Sequence, residues 1–125
     1  MKAAWYESFG DARDVLKFGE IETPKPASDE VLVRLQSSAV NPSDTKKRAG
    51  SSPGLLDNGL IIPHSDGAGV IEAVGAGVNE NRIGERVWVY EAQHGRRFGT
   101  AAHYVAIDQR RTVPLPDQTD FHIGA

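Results

Sequence analysis

Pro63-His64-Ser65-Asp66-Gly67-Ala68-Gly69-Val70-Ile71-Glu72-Ala73-Val74-Gly75 is the stretch on which the reading of this chain turns. Its Gly67-x-Gly69 spacing opens like a dinucleotide fingerprint, but Glu72 stands where the third glycine belongs. The tetrapeptide Gly-Ala-Gly-Val recurs from Gly75 and fails in the same way at Glu80. Neither run opens a helix of useful length, and the phosphate-binding turn needs one because the anion sits at the helix N-terminus. What remains is an apolar run, 70–74, bracketed by glycine turns, which reads as a strand. His64-Ser65-Asp66 reads as the turn leading into it.

Working outward, the chain is punctuated by 13 Gly and 7 Pro, which favours short strands and turns over long helices. Val31, Val33 and Leu35 alternate with polar residues and fall on one face of a strand. Residues 3–6 and 16–22 read as paired strands with the polar 10–14 between them, and 24–29 as a surface connection. Further strands are expected at 86–90 and 103–107. One short helix is marked: Asn41 as N-cap, Pro42 at the first position, Asp44 in the first turn, and Lys46, Lys47 and Arg48 in the last. Gly50 can close it in the left-handed conformation. Asp44 and Arg48 are spaced for an ion pair of ~0.3–0.5 kcal/mol. Residues 50–59 read as an exposed loop. Thr119 or Asp120 can cap a helix starting at Phe121, and the sequence stops within its first turns, as if a second domain should follow. The pattern predicts a mainly β barrel or sandwich with one or two short helices.

A length of 125 residues fits one domain. With 39% hydrophobic and 25% charged residues, the balance is globular. A net charge of −3 lacks the footprint of a general nucleic-acid binder. The absence of cysteine excludes disulfides, thiol catalysis and cysteine-ligated metal centres. No apolar signal core follows Lys2 and no run reaches membrane length, so a cytoplasmic location without membrane contact is expected. The histidines 64, 94, 103 and 122 include no helical zinc pair. A hydrolase triad of Ser65, His103 and Asp66 lacks the nucleophile-elbow motif that would support it. Arg96-Arg97, Arg110-Arg111 and Lys46-Lys47-Arg48 read as solvated faces that can also serve an anionic cofactor on one side of a cleft.

Taken in order, Glu30-Val31-Leu32-Val33-Arg34, Ala39-Val40-Asn41-Pro42-Ser43-Asp44, Pro63 through Gly75, and Ile83-Gly84-Glu85-Arg86-Val87 resemble the N-terminal GroES-like domain of the medium-chain dehydrogenase/reductase superfamily. The resemblance spans nearly the whole chain. It implies a GroES-like, partly open β-barrel over residues 1–125, with a Rossmann domain that binds NADPH lying outside it. Zinc alcohol dehydrogenases of the superfamily carry a cysteine at the place of Asn41, a histidine–glutamate pair at Ser65-Asp66 and a four-cysteine lobe. The chain departs at each, and is similar instead to the zinc-independent quinone oxidoreductase branch that includes the zeta-crystallins.

The activity implied is hydride transfer from NADPH to a quinone or conjugated carbonyl, with the chain inactive alone. An enoyl or acrylyl reductase and a non-catalytic binding or assembly module are the alternatives. A module of the co-chaperonin kind would need a long mobile apolar loop, and residues 51–62 hold Leu55, Leu56, Leu60, Ile61 and Ile62. By family position, Asn41 contacts the nicotinamide or substrate, and Ser43, Lys46 and Ser65 line the cleft. Asn41 and Ser65 are the cofactor-facing candidates and Asn41 and Lys46 the catalytic ones; Ser43, Ser52, Tyr90 and Gln93 face substrate. No metal is expected. Tyrosines common in the family are replaced by Lys46 and Ser52, and Lys46 can stabilise developing enolate charge. Exposed apolar surface and an unpaired strand edge are expected, hence a homo-oligomer or self-association.

Overall fold

The computed structural model describes residues 1–125. Seven strands run β1 (Lys2–Trp5), β2 (Lys17–Glu20), β3 (Glu30–Ala39), β4 (Asp66–Val74), β5 (Arg86–Val89), β6 (Tyr104–Asp108) and β7 (Thr112–Pro114). There are two helices, α1 (Ala12–Val15) and α2 (Pro42–Arg48), and short 3-10 turns such as Pro53–Leu56 follow later in the chain. β1 and β2 form a two-stranded sheet, and the other five order as β6-β3-β4-β5-β7, every pairing antiparallel. The sheet is open at β6 and β7, so the expected mainly β architecture is present without a closed barrel.

The alternation in β3 sets the core. Val31 and Val33 are fully buried, and Leu35 packs on the same cluster with Ile71, Val87, Val89, Val105 and Ile107. Each such side chain contributes roughly 1.5–3 kcal/mol on burial. The β3–β4 register shifts twice, between Leu32 and Val33 and between Leu35 and Ser37. These irregularities bend the long pair and carry β3 into α2. A Cβ on Gly69 would strike the backbone of Arg34, and one on Gly75 that of Ala27 and Ser28. Both glycines therefore serve close backbone approach, not a phosphate.

The structure corrects several local expectations. Residues 12–15 form α1 with Val15 buried, where a polar connection was expected; four residues are too few to show a helical period. β3 and β4 each extend beyond the expected run, and β7 was not anticipated. The C-terminal helix is only a turn, with Asp120 accepting from the His122 N–H at 2.7 Å. The 50–59 loop contains the Pro53–Leu56 turn, whose Leu55 and Leu56 pack against Tyr6, Val15 and Ile61. Ile61 and Ile62 are fully buried, so this apolar run is folded into the domain and is not a mobile docking loop. The Asp44–Arg48 ion pair does not form: Asp44 accepts from the Asn41 N–H and Arg48 Nη1 donates to the Gly10 carbonyl at 2.5 Å. Gly50 does close α2, with φ of 100°.

Candidate functional site

The site grows from the junction of β3 and α2. Ala39 pairs with Asp66 in the sheet register, bringing the start of α2 beside the start of β4. Asn41 stands at the N-cap; the Asp44 carboxylate accepts its backbone N–H at 2.7 Å, and its own Nδ2 donates to Asp66 Oδ2 at 2.6 Å. The amide is thus oriented by a carboxylate on the neighbouring strand. The carbonyl of Asp66 accepts from Thr100 Oγ1 at 2.6 Å, and that hydroxyl lies 2.8 Å from Ser38 Oγ.

Ser38 Oγ also lies 2.8 Å from His64 Nδ1. His64 holds a φ of 76°, a left-handed conformation that costs a non-glycine residue about 1 kcal/mol. Burial lowers its pKa below the ordinary histidine range, against a weaker opposing pull from Asp44. The imagined Ser65–His103–Asp66 triad does not assemble. The Asp66 side chain bonds Asn41, and His103 lines a cavity with Ser38, His64 and Thr100 that neither Ser65 nor Asp66 borders.

On the other side of α2, the residues following β5 come in close. The Ala92 N–H donates to the Ser65 carbonyl at 2.8 Å, seating the 91–95 loop against the start of β4. Lys47 Nζ donates to Gln93 Oε1 at 3.3 Å, bridging loop and helix. Beneath them lie three polar atoms with no hydrogen-bond partner: Tyr6 Oη, Asp44 Oδ1 and Gln93 Nε2. Tyr6, Asp44 and Gln93 are 0%, 4% and 2% exposed. Burial pushes the Tyr6 phenol above its ordinary pKa, with Gln93 and Asp44 the polar groups next to it.

The structure therefore groups Asn41, Ser65 and Gln93 around the α2 corner. Ser52 joins Gln93 in the lining of one cavity. Ser43 and Lys46 are exposed on α2 without a side-chain hydrogen bond, and Lys46 makes no ion pair. Tyr90 borders two cavities: its hydroxyl donates to the Arg110 carbonyl at 3.0 Å beside a polar cavity it lines with Arg110 and Arg111, and the residue also lines a cavity with Asp66, the partner of Asn41. Tyr6 carries no sequence signal for the site, while Asp66 and Lys47 enter it in other roles than those the sequence suggests: Asp66 as the partner of Asn41 instead of a triad acid, Lys47 as a bridge to Gln93. The strand register that delivers Asp66 has no signature in local sequence, whereas the Asn41-x-x-Asp44 spacing of a capping box was available to flag Asp44. No group of three or more His, Asp or Glu side chains is arranged to hold a metal ion. No helix is long and apolar enough to cross a membrane.

Comparison with known proteins follows this geometry. Residues 27–117 match the family described as the alcohol dehydrogenase GroES-like domain. The chain is 36% identical over 129 residues to quinone oxidoreductase of Rattus norvegicus, covering 100% of this chain and 36% of that protein. It is 31% identical over 126 residues to the chloroplastic NADPH-dependent alkenal/one oxidoreductase of Arabidopsis thaliana, covering 97% of this chain and 32% of that one. Among solved structures, the quinone oxidoreductase from Coxiella burnetii superimposes with a TM-score of 0.92 at 26% identity, over 100% of this chain and 40% of its own. The chain thus spans about a third of the length of the curated relatives it matches. With the β3–α2–β4 corner and the matched residues in agreement, the chain belongs to the alcohol dehydrogenase GroES-like domain family of the medium-chain dehydrogenase/reductase superfamily, and its relatives include quinone and alkenal oxidoreductases.

Proposed function

We propose that this domain is the substrate-facing wall of a zinc-independent, NADPH-dependent oxidoreductase that reduces quinones or conjugated carbonyls. The observation that carries this reading is the Asn41 amide, fixed by Asp66 at 2.6 Å beside Ser65. An amide held in one plane suits recognition of another amide, such as a nicotinamide carboxamide, because it offers one donor end and one acceptor end. Nδ2 commits one of its two N–H groups to Asp66 and Oδ1 faces the Asp44 N–H of the capping box, so the second N–H and the remaining Oδ1 lone pair are what an incoming amide meets. Where a zinc-type site would need three converging ligands, this corner offers an amide and a carboxylate already bonded to each other.

The residues present fit one end of the cofactor only. Backbone fills the space around Gly69 and Gly75, so no pyrophosphate cradle exists here, and a Rossmann domain beyond this chain completes the proposal. When bound, the nicotinamide supplies the hydride. Asn41 and Ser65 position that ring, while Ser43, Ser52 and Gln93 form the polar side against which the acceptor lies. Lys46, exposed on α2, supplies positive charge where an enolate or hydroquinone oxygen develops. Tyr90 borders the Asp66 side of the corner with its ring, its hydroxyl being turned to Arg110.

A cytoplasmic setting and a homo-oligomer belong to the same proposal. Exposed Trp88 and Val113, paired across β5 and β7, offer an apolar edge for association; sedimentation that finds only monomer at micromolar concentration refutes that part. The activity itself is tested by following NADPH oxidation by the intact enzyme with simple quinones and enones. Turnover that falls at least tenfold in Asn41→Ala, with the melting temperature kept, is expected. No turnover of either substrate class overturns the reading.

A further inference from the structure

We propose that the cavity between α2 and the 91–97 loop is an anion subsite, and that the acceptor reduced at this corner carries a carboxylate or phosphate. The inference rests on the reductase reading above and names its substrate class. The cavity is about 350 Å³ and is lined by Lys47, Ser52, Asn58, His94, Arg96 and Arg97 together with Gln93, two glycines and one apolar side chain. No carboxylate lines it. In a chain of net charge −3, three cations and an imidazole have been gathered without an acid among them.

These cations are not consumed by the fold. Arg97 takes part in none of the ion pairs, and its guanidinium lies 5.1 Å from the Phe98 ring centre, a stacking that leaves its edge donors free. Lys47 reaches only the neutral Gln93 oxygen, at 3.3 Å. Arg96 is the partly neutralised member: it donates to the Ala106 carbonyl and stands 3.8 Å from Glu30. The hydroxyl of Ser52, the amide of Asn58 and the ring of His94 make no side-chain hydrogen bond. The nearby acids stay outside the lining: Asp57 lies against Gly54, and Glu30, Glu91 and Asp108 line the neighbouring cavity that shares His94 and Arg96, which leaves Arg97 and Lys47 as the cations without an acid partner. Such a wall repels cations and gives a neutral ring little apolar contact. A planar carboxylate or a phosphate meets a forked donor in Arg97 and a point charge in Lys47.

The anion could come from the substrate or from the cofactor's phosphates. The structure favours the substrate. Ser52 and Gln93 line this cavity, whereas Asn41 and Ser65, which face the nicotinamide in the proposal, do not.

The test uses the intact enzyme, NADPH, and two enones that differ only in a free carboxylate against its methyl ester. The wild type is expected to favour the acid in kcat/KM, and Arg97→Gln and Lys47→Gln each to cut that preference about tenfold, the worth of one charge-assisted contact. Arg13→Gln, exposed on α1 outside the cavity, keeps the preference. An unchanged acid-to-ester ratio in both cavity variants overturns the subsite. A raised KM for NADPH with an unchanged ratio assigns the cavity to the cofactor and also overturns it. If neither enone is reduced, the reductase reading fails, and the subsite is decided separately by titrating this chain with inorganic phosphate at low salt. Saturable amide shifts at His94 and Arg97, weakened in Arg97→Gln, support it; their absence overturns it.

Discussion

The five-stranded sheet and the α2 corner solve opposite problems. In the sheet, seven apolar strand residues from Val31 to Ile107 form one buried cluster, joined by Val78 and Ala92 from the adjoining loops. In the corner, three buried polar atoms lack a partner, and cations face a cavity without an acid. A buried unpaired polar group costs about 1–3 kcal/mol, so the corner is the strained part of a domain whose sheet supplies the stability. The difference separates the residues that specify the fold from those free to specify chemistry.

The largest break in that contrast comes from the sheet. Ile71 is 1% exposed in the main cluster, and Ile71→Ala is expected to cost about 2–5 kcal/mol, since a β-sheet core relaxes little around a cavity. Urea denaturation measures it; a loss below about 1 kcal/mol would mean that the cluster is loosely packed. Next is Asp44, whose carboxylate bonds the Asn41 N–H and leaves its other oxygen unmatched. Asp44→Ala is expected to cost only about 0.5–2 kcal/mol, the usual worth of a helix cap. Because the same bond sets the Asn41 backbone, it should also weaken the Asn41–Asp66 bond, read as a shift of the Asn41 side-chain amide resonances. A cost equal to that of Ile71→Ala would place the corner within the structural core and erase the contrast.

How much of this was legible follows the same division. Val31, Val33 and Leu35 announce β3 because burial on one face imposes period two, and that signal is local. Asn41-Pro42-x-Asp44 announces the start of α2 because capping chemistry is also local. What brings Asn41 to Asp66, Ser65 to Ala92 and Lys47 to Gln93 is strand register and loop docking across 25 to 46 positions, and no local pattern encodes that. The α2 charges show the limit. Spacing on a helix pairs Asp44 with Arg48, but Asp44 turns to its own cap and Arg48 to the Gly10 carbonyl, partners supplied by the helix start and by tertiary contact. Family position points to Asn41 and Ser65, which lie together at the start of α2 and β4; Gln93 and Tyr90, further candidates for the cleft, sit on either side of that corner, Gln93 bonded to Lys47 and Tyr90 sharing a cavity with Asp66.

His64 gives a smaller effect that separates the two regions by pH. Burial lowers its pKa in the folded chain, while the unfolded chain titrates near about 6.5. Between those values the unfolded state holds more protons, so stability rises with pH. The contribution is present above the unfolded value and is lost as pH falls below it toward the folded one. His64→Asn, which tolerates the left-handed backbone, is expected to flatten the melting temperature between pH 5 and 7 by about a degree or two, since a half-exposed ring feels a screened environment. An unaltered slope would assign that pH dependence to other groups.

The smallest expected effect is also the most discriminating. Tyr6 is fully buried with its phenol oxygen unpaired, and the raised pKa reflects the same exclusion from water. If the oxygen has no partner in solution, Tyr6→Phe removes a desolvated dipole at almost constant shape, so stability should stay within about 0.5 kcal/mol of the parent or rise. A loss of more than about 1 kcal/mol would reveal a satisfied hydroxyl. The hydroxyl would then be paired with Gln93, the side chain that faces it, with Asp44 alongside. Chemical denaturation of Tyr6→Phe beside Gln93→Leu and the double variant decides it. Additive changes leave the three atoms independent and the corner strained, whereas coupling above about 0.5 kcal/mol makes them one network and brings the corner closer in character to the sheet.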